Sequence, residues 1–244
     1  MSNAPLASVP ESICTGEVAV VLPGAVGAAQ AYTALLGEPD GDSDSGLWPA
    51  GNAAVRVLGL PDVTVGAAFA VVNVERAAAL LARRGAPLAD SGEAGDGRPG
   101  HWMVDVPAVG VVPAPGGAHA GRSRLDHIVF TAPTVDGAVA LFAGRLGLDL
   151  RLIKEFGAGS QIFFRAGTLV VEVLTGPQAG DEVALWGLAW ATDDLDAECR
   201  RLAEAGLATS EVKDGRKPGT RVATVREPAL GVLTILIEPA PPRR

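Results

Sequence analysis

Four times along the chain a short apolar run gives way to an Ala/Leu-rich stretch of helical period, then a glycine, then further short apolar runs. The opening runs are Glu17–Leu22, Gly66–Val72, Asp126–Ala132 and Trp186–Thr192. Their apolar content and shortness predict strands. The helical stretches stop at Gly37, Gly85, Gly147 and Gly206, where glycine can take the positive φ that ends a helix at no steric cost. The helices are amphipathic: in the third, Val135, Val139, Phe142 and Leu146 share one face, and in the fourth Leu195, Cys199 and Leu202 do. Asp193 or Thr192 is the expected cap of the fourth.

Further strands are predicted after each helix. The third module continues with Leu148–Phe156, Gln161–Arg165 and Thr168–Leu174, and the fourth with Ala208–Lys213, Thr220–Arg226 and Gly231–Glu238. The first half is less complete. Gly46–Pro49 and Ala53–Leu58 follow its first helix, His101–Val106 and Val109–Val112 its second. Each module therefore reads β-α-β-β-β, with one strand unplaced in each of the first two. The stretch from Pro113 to Arg124 lacks periodicity and reads as a linker, with His119 a solvated loop residue. The expected architecture is α+β: two tandem domains of two modules each, at 1–112 and 125–244, joined by 113–124.

Composition narrows the function classes. Of 244 residues, 48% are hydrophobic and 20% charged, as in an ordinary globular protein. The net charge of −8 opposes binding to nucleic acid. No apolar run approaches the roughly 18 residues of a membrane span, and the start of the chain has no basic, apolar leader pattern. With two cysteines, Cys14 and Cys199, read as free thiols, a cytoplasmic protein is expected. The glycine-rich stretch Gly92–Gly100 precedes a strand instead of joining a strand to a helix, so it is a loop and no phosphate cradle.

The segments LDHIVFTAPTVDGAVALFAGRLGLDL (125–150), TLVVEVLTG (168–176), LAWATDDLDAECRRLAEAGL (188–207) and EPALGVLTILIEP (227–239), within four βαβββ modules, resemble the vicinal oxygen chelate (glyoxalase/bleomycin-resistance/extradiol dioxygenase) superfamily. The resemblance implies paired modules whose sheets enclose a cleft. It also implies up to two metal ligands per module, one from the first strand and one from the last. In the third module His127 and Glu172 hold those positions, as ligands for Zn, Mn, Fe or Ni. Glu172 is also the candidate catalytic base. The other modules depart from the pattern. The corresponding positions are Glu17 and Arg56 in the first, Gly66 in the second, and Gly187 and Ile235 in the fourth. One half-site remains.

Alternation along β-structure adds directions. Ile128 and Phe130 suit the helix-covered side, which leaves His127, Val129 and Thr131 facing the cleft. Glu172 interrupts an apolar strand, and a carboxylate there needs a partner. Gly187, Ala189 and Ala191 take the cleft phase, which assigns Trp186 and Trp190, with Phe130 and Phe142, to the helix–sheet core. The wall they leave is small and apolar and continues through Leu233, Ile235 and Ile237; the second module repeats it with Gly66, Ala68 and Ala70. Such walls give a ligand room, so Gly187 and Ile235 are candidate substrate contacts. Arg216 and Arg221, in a basic cluster with Lys213 and Lys217, are candidate clamps for a substrate anion.

The expected function is therefore a glyoxalase-like protein with a small-molecule ligand, with self-association into a homodimer left open. It is a metal-assisted lyase, isomerase or dioxygenase-type enzyme acting through His127 and Glu172. The alternatives are a sequestering protein for a hydrophobic compound and a metal-free acid/base enzyme.

Overall fold

The computed structural model describes residues 13–40, 46–58, 65–93, 99–114 and 123–241. Most of the expected linker, His119 and most of the Gly92–Gly100 loop lie outside these residues. The strands form two mixed sheets. The first, of seven strands, contains β1 (Cys14–Pro23), β2 (Leu47–Ala50), β3 (Ala53–Leu58), β4 (Gly66–Val71), β5 (Leu88–Glu93), β6 (Pro99–Met103) and β7 (Val109–Pro113). The second, of eight, contains β8 (Arg124–Thr131), β9 (Asp149–Phe156), β10 (Gly159–Ala166), β11 (Leu169–Leu174), β12 (Ala184–Ala191), β13 (Lys213–Asp214), β14 (Arg221–Val225) and β15 (Leu233–Glu238).

The orders are β2-β3-β1-β4-β7-β6-β5 and β13-β14-β15-β12-β8-β11-β10-β9. In each sheet the first strands of two modules pair antiparallel at the centre, β1 with β4 and β8 with β12. Each of these also pairs in parallel with its own module's last strand. The strand left unplaced in the second module is β5. In the fourth, the expected strand Ala208–Lys213 shrinks to an isolated bridge, Thr209 with Val225, and the two residues of β13.

The helices are α1 (Ala28–Leu36), α2 (Val74–Arg83), α3 (Val135–Ala138) with a π-helical continuation over Val139–Arg145, and α4 (Leu195–Glu204). Gly37, Gly85, Gly147 and Gly206 all take positive φ, between 72° and 105°, within two residues of the helix ends. Asp194, rather than Asp193 or Thr192, caps α4, its side chain accepting from the Ala197 amide. Among the described residues no helix is long and apolar enough to cross a membrane.

The two halves meet reciprocally. The start of β1 abuts the β10–β11 turn, and the start of β8 abuts the β2–β3 turn. A Cβ on Gly16 would lie 2.7 Å from the Ala166 carbonyl, and one on Gly167 would lie 2.8 Å from the Thr15 carbonyl. On the other side Asn52 grips β8 at two points: its Nδ2 donates to the Leu125 carbonyl at 3.0 Å and its Oδ1 accepts from the Leu125 amide at 2.9 Å. The buried Tyr32 hydroxyl donates to the Leu230 carbonyl at 2.7 Å. Arg201 and Arg84 each donate to a carbonyl near a helix end of the other half, Ala34 and Arg145.

Helix-side packing holds for Phe130, Phe142 and Trp190, all fully buried in one continuous core. The assignment of Trp186 to that core is corrected: it is 40% exposed. Leu185 and Leu188 both belong to the core although they are three residues apart. The reason is a bulge. Leu185 pairs with Phe130 and Gly187 with Val129, so Trp186 is an extra residue that breaks the alternation.

The reading of Gly66, Ala68 and Ala70 as open room is also corrected. A Cβ on Gly66 would lie 2.7 Å from the Trp102 ring, and one on Gly110 would lie 2.9 Å from it. Trp102 packs there with Ala19, Ala68, Ala70 and Val112, so the first sheet's inner face is filled by the chain's own indole.

Trp190→Ala is expected to cost about 3–5 kcal/mol of stability, whereas Trp186→Ala should cost less than about 1 kcal/mol. Equal losses in denaturant titrations would contradict the bulge assignment. Asn52→Ala leaves the buried Leu125 amide and carbonyl without their side-chain partner and should destabilise by about 1–3 kcal/mol, read as a lowered unfolding midpoint.

Candidate functional site

The site forms on the inner face of the second sheet, where β8 carries a second irregularity. Ala189 pairs with His127 but Trp190 pairs with Leu125, so Asp126 is an extra residue. Leu125 and Ile128 both lie in the core. The two residues between them therefore share the opposite side. Their contact shows it: His127 Nδ1 lies 3.0 Å from Asp126 Oδ2. Regular alternation would have placed Asp126 with Leu125's neighbours on the helix side, which is why the sequence alone gave it no role.

Glu172 belongs to the strand on the other side of β8. It pairs with Val129, while Val170 pairs with His127. His127 and Glu172 are thus diagonal neighbours on adjacent parallel strands, with His127 Nε2 3.8 Å from Glu172 Oε2. The other carboxylate oxygen, Oε1, accepts from Gln161 Nε2 at 2.8 Å. Gln161, on β10, is 3% exposed. It was not singled out from sequence, although a polar residue inside the apolar run QIFF is the same signal that drew attention to Glu172.

Each reactive group is therefore fixed by a partner of its own. The Asp126 carboxylate can only accept, so Nδ1 donates and Nε2 is left for the cleft. Gln161 occupies Oε1 and leaves Oε2 for the cleft. The side chains of His127 and Glu172 are 15% and 14% exposed, sheltered but reachable. The hydrogen bond from His127 holds the Asp126 carboxyl below the ordinary carboxylate range, against partial burial, with help from the positive charges of His127, Arg124 and Lys217.

The remaining expected site residues are dispersed. Gly187 and Ile235 lie on the same face as His127, since Gly187 pairs with Val129 and Ala189 with both His127 and Ile235. A Cβ at Gly187 would approach the Leu233 carbonyl to 2.9 Å. Arg221 is engaged elsewhere. It donates to Asp196 at 2.8 Å and to Glu238 at 3.3 Å, and Glu238 in turn accepts from the Leu195 amide at the start of α4. These bonds turn Arg221 toward the helix. Arg216 stands in the turn between β13 and β14, at the edge of the sheet.

The donor chemistry bears on a metal. An imidazole oriented by a carboxylate and a carboxylate oriented by an amide match the outer partners of metal ligands. Yet among the described residues no group of three or more His, Cys, Asp or Glu side chains is placed to hold a metal ion. Glu17, the one carboxylate that a meeting of modules one and three could have added, completes no such group, although those modules do touch. Two donors fall short of the three protein ligands typical of a catalytic zinc. Among the described residues the donors do not by themselves make up a metal site.

Asp126 gives a pH expectation. Its lowered pKa means that its contribution to stability is complete above the ordinary carboxylate range and is lost as the pH falls through its own lower value. Asp126→Asn should lower stability at neutral pH and flatten this part of the acid-side loss. Urea midpoints measured between about pH 3 and pH 7 that run parallel for both proteins would rule the linkage out.

No curated protein matches the chain. The sequence model described as Glyoxalase/Bleomycin resistance protein/Dioxygenase superfamily matches residues 126–224. Among solved structures, a mutant of 4-hydroxymandelate synthase from Streptomyces coelicolor is 13% identical, with a TM-score of 0.67 over 96% of this chain and 94% of its own. A xylose isomerase-like TIM barrel/4-hydroxyphenylpyruvate dioxygenase fusion protein is 13% identical, with a TM-score of 0.69 over 100% of this chain and 52% of its own. Methylmalonyl-CoA epimerase from Mycobacterium tuberculosis is 24% identical over 48% of this chain and 88% of its own, with a TM-score of 0.41. The two end-to-end likenesses show the fold as two tandem glyoxalase-like domains. Residues 126–224 are thus similar to the glyoxalase/bleomycin resistance/dioxygenase, or vicinal oxygen chelate, superfamily, and the chain as a whole has the fold of two tandem glyoxalase-like domains.

Proposed function

We propose that the second half is the working half: an acid–base site that moves a proton on a small carbonyl-bearing molecule, as a lyase or isomerase does. The observation that carries this reading is the double orientation of the pair. Asp126 fixes the His127 ring and Gln161 fixes the Glu172 carboxylate, which leaves His127 Nε2 and Glu172 Oε2 toward the cleft, 3.8 Å apart. Groups held in this way lose little orientational freedom when a substrate arrives.

Glu172 takes the proton from a carbon next to the carbonyl. His127, protonated at Nε2, gives that proton to the carbonyl oxygen, and an enol results. Asp126 keeps Nδ1–H in place and stabilises the imidazolium form by its negative charge. Return of the proton from Glu172 to the same carbon, or to the far end of a conjugated dienol, with the enol proton going back to His127, regenerates the carbonyl and both groups. Because the two groups stand on one sheet face, removal and return take place on one face of the substrate. This suits keto–enol isomerisation or elimination better than inversion between opposed bases. A metal-assisted variant would take its missing ligands from water, substrate or a partner chain. In that variant His127 and Glu172 are the protein donors and Asp126 the outer partner.

The test is solvent exchange. Enolisable 2-keto acids, cyclic ketones and acyl thioesters are incubated in D2O with chelator-treated protein, and deuterium at the carbon beside the carbonyl is followed by NMR. Exchange is expected with at least one of these classes, and to fall roughly 10²- to 10⁴-fold in Glu172→Gln and His127→Asn. Exchange that needs added Zn, Mn, Fe or Ni supports the metal-assisted variant instead. Binding of a compound with no exchange in any class supports a sequestering protein.

A further inference from the structure

The strand registers align one transverse row across the inner face of the second sheet. Leu152 pairs with Phe163, Phe163 with Glu172, Glu172 with Val129, Val129 with Gly187, and Gly187 with Leu233. A single carboxylate thus stands in a row that is otherwise apolar. Leu152 is 51% exposed and Leu233 39%, so both ends of the row reach solvent while its middle, Val129, is buried at 5%. The row is a strip that leads from open rim to sheltered carboxylate.

The bulge in β12 adds Trp186 to this strip. With regular alternation Trp186 would face the helix; the extra residue instead sets it beside Gly187, on the same side as Glu172. It is the largest of the exposed apolar side chains, at 40%. Keeping an indole half in water forgoes the burial that Trp190, four residues on, obtains completely. Gly187 next to it cannot grow a side chain, because a Cβ there would sit 2.9 Å from the Leu233 carbonyl. The floor beside the indole is therefore bare backbone, and flat. Phe163, half-buried, stands on the other side of Glu172.

We infer that Trp186 is a specificity-determining residue, and that the ligand of the His127–Glu172 site carries a planar apolar ring that stacks on Trp186. The inference rests on the acid–base reading for the position of the carbonyl, but the ring contact itself is independent of any proton transfer. An aromatic side chain on one side of the carboxylate and an indole beside a glycine floor on the other favour a flat group over a puckered one of the same bulk. The carbonyl end then points to Glu172 and His127.

The experiment uses two ketones that differ only in the shape of their ring, phenylacetone and cyclohexylacetone, with the full chain. Dissociation constants are taken from ligand-observed NMR titrations. The wild type is expected to bind phenylacetone roughly 3- to 10-fold more tightly than cyclohexylacetone, with upfield shifts of its ring protons on binding. Trp186→Leu should erase both the preference and the shifts, and Trp186→Phe should keep most of each. Because Trp186 is half-exposed, these variants are expected to fold, which their circular dichroism checks. Glu172→Gln should hold phenylacetone within about twofold of wild type while solvent exchange is lost. Equal affinity for the two ketones, unchanged preference in Trp186→Leu, or no binding of either ketone would overturn the stacking inference. Retained preference with undiminished exchange in Glu172→Gln would overturn the acid–base reading and leave the stacking inference standing.

Discussion

The pairing of β8 with β12 governs this molecule. It joins the third and fourth modules into one sheet, and each strand carries one residue more than its partner can match. A strand alternates its side chains with period two, so an extra residue reverses the facing of everything beyond it. In β8 the extra residue is Asp126, and the reversal brings an acid and a histidine to the same side. In β12 it is Trp186, and the reversal moves an indole out of the core. Without the first, His127 would lack the partner that fixes its ring. Without the second, the inner face would lack its large aromatic side chain.

The two halves of the chain use one fold for different ends. In the first, the inner face is floored by Gly66, Gly110 and alanines, and Trp102 fills it. Packing of that kind stabilises the half and takes up the space in front of those glycines. The second half lines its inner face with four polar groups in two bonded pairs, Asp126 with His127 and Gln161 with Glu172. The first half contributes to the site indirectly: Asn52 holds both backbone groups of Leu125, one residue before the bulged Asp126.

Polar groups buried at this density carry a cost unless each is bonded. The arrangement meets that cost with side chains that are themselves confined: Gln161 is buried in its strand and Asp126 is pinned by the bulge. The result is an imidazole and a carboxylate, each held by one bond, with Nε2 and Oε2 3.8 Å apart. Arg221, which sequence spacing nominated for an anion, is bonded to Asp196 and Glu238 beside α4 instead, a reminder that proximity in sequence to a turn says little about which face an arginine joins.

Much of this was legible without coordinates. The recurrence of strand, helix and glycine dictated four modules because helix ends need a residue that tolerates positive φ, and Gly37, Gly85, Gly147 and Gly206 supply it. Glu172 stood out because a carboxylate in an apolar strand must have a partner, and His127 because the family resemblance sets it opposite Glu172. What the sequence could not reveal was every feature that depends on register. Asp126, Gln161 and Trp186 gained their places only when two strands paired with unequal counts. Trp102 closed the first cleft only when it reached across to glycines on neighbouring strands. Local pattern encodes which residues want to be buried; which of two faces they occupy is decided by a hydrogen-bond ladder between strands far apart in the chain, and one unmatched residue in that ladder is enough to change the answer.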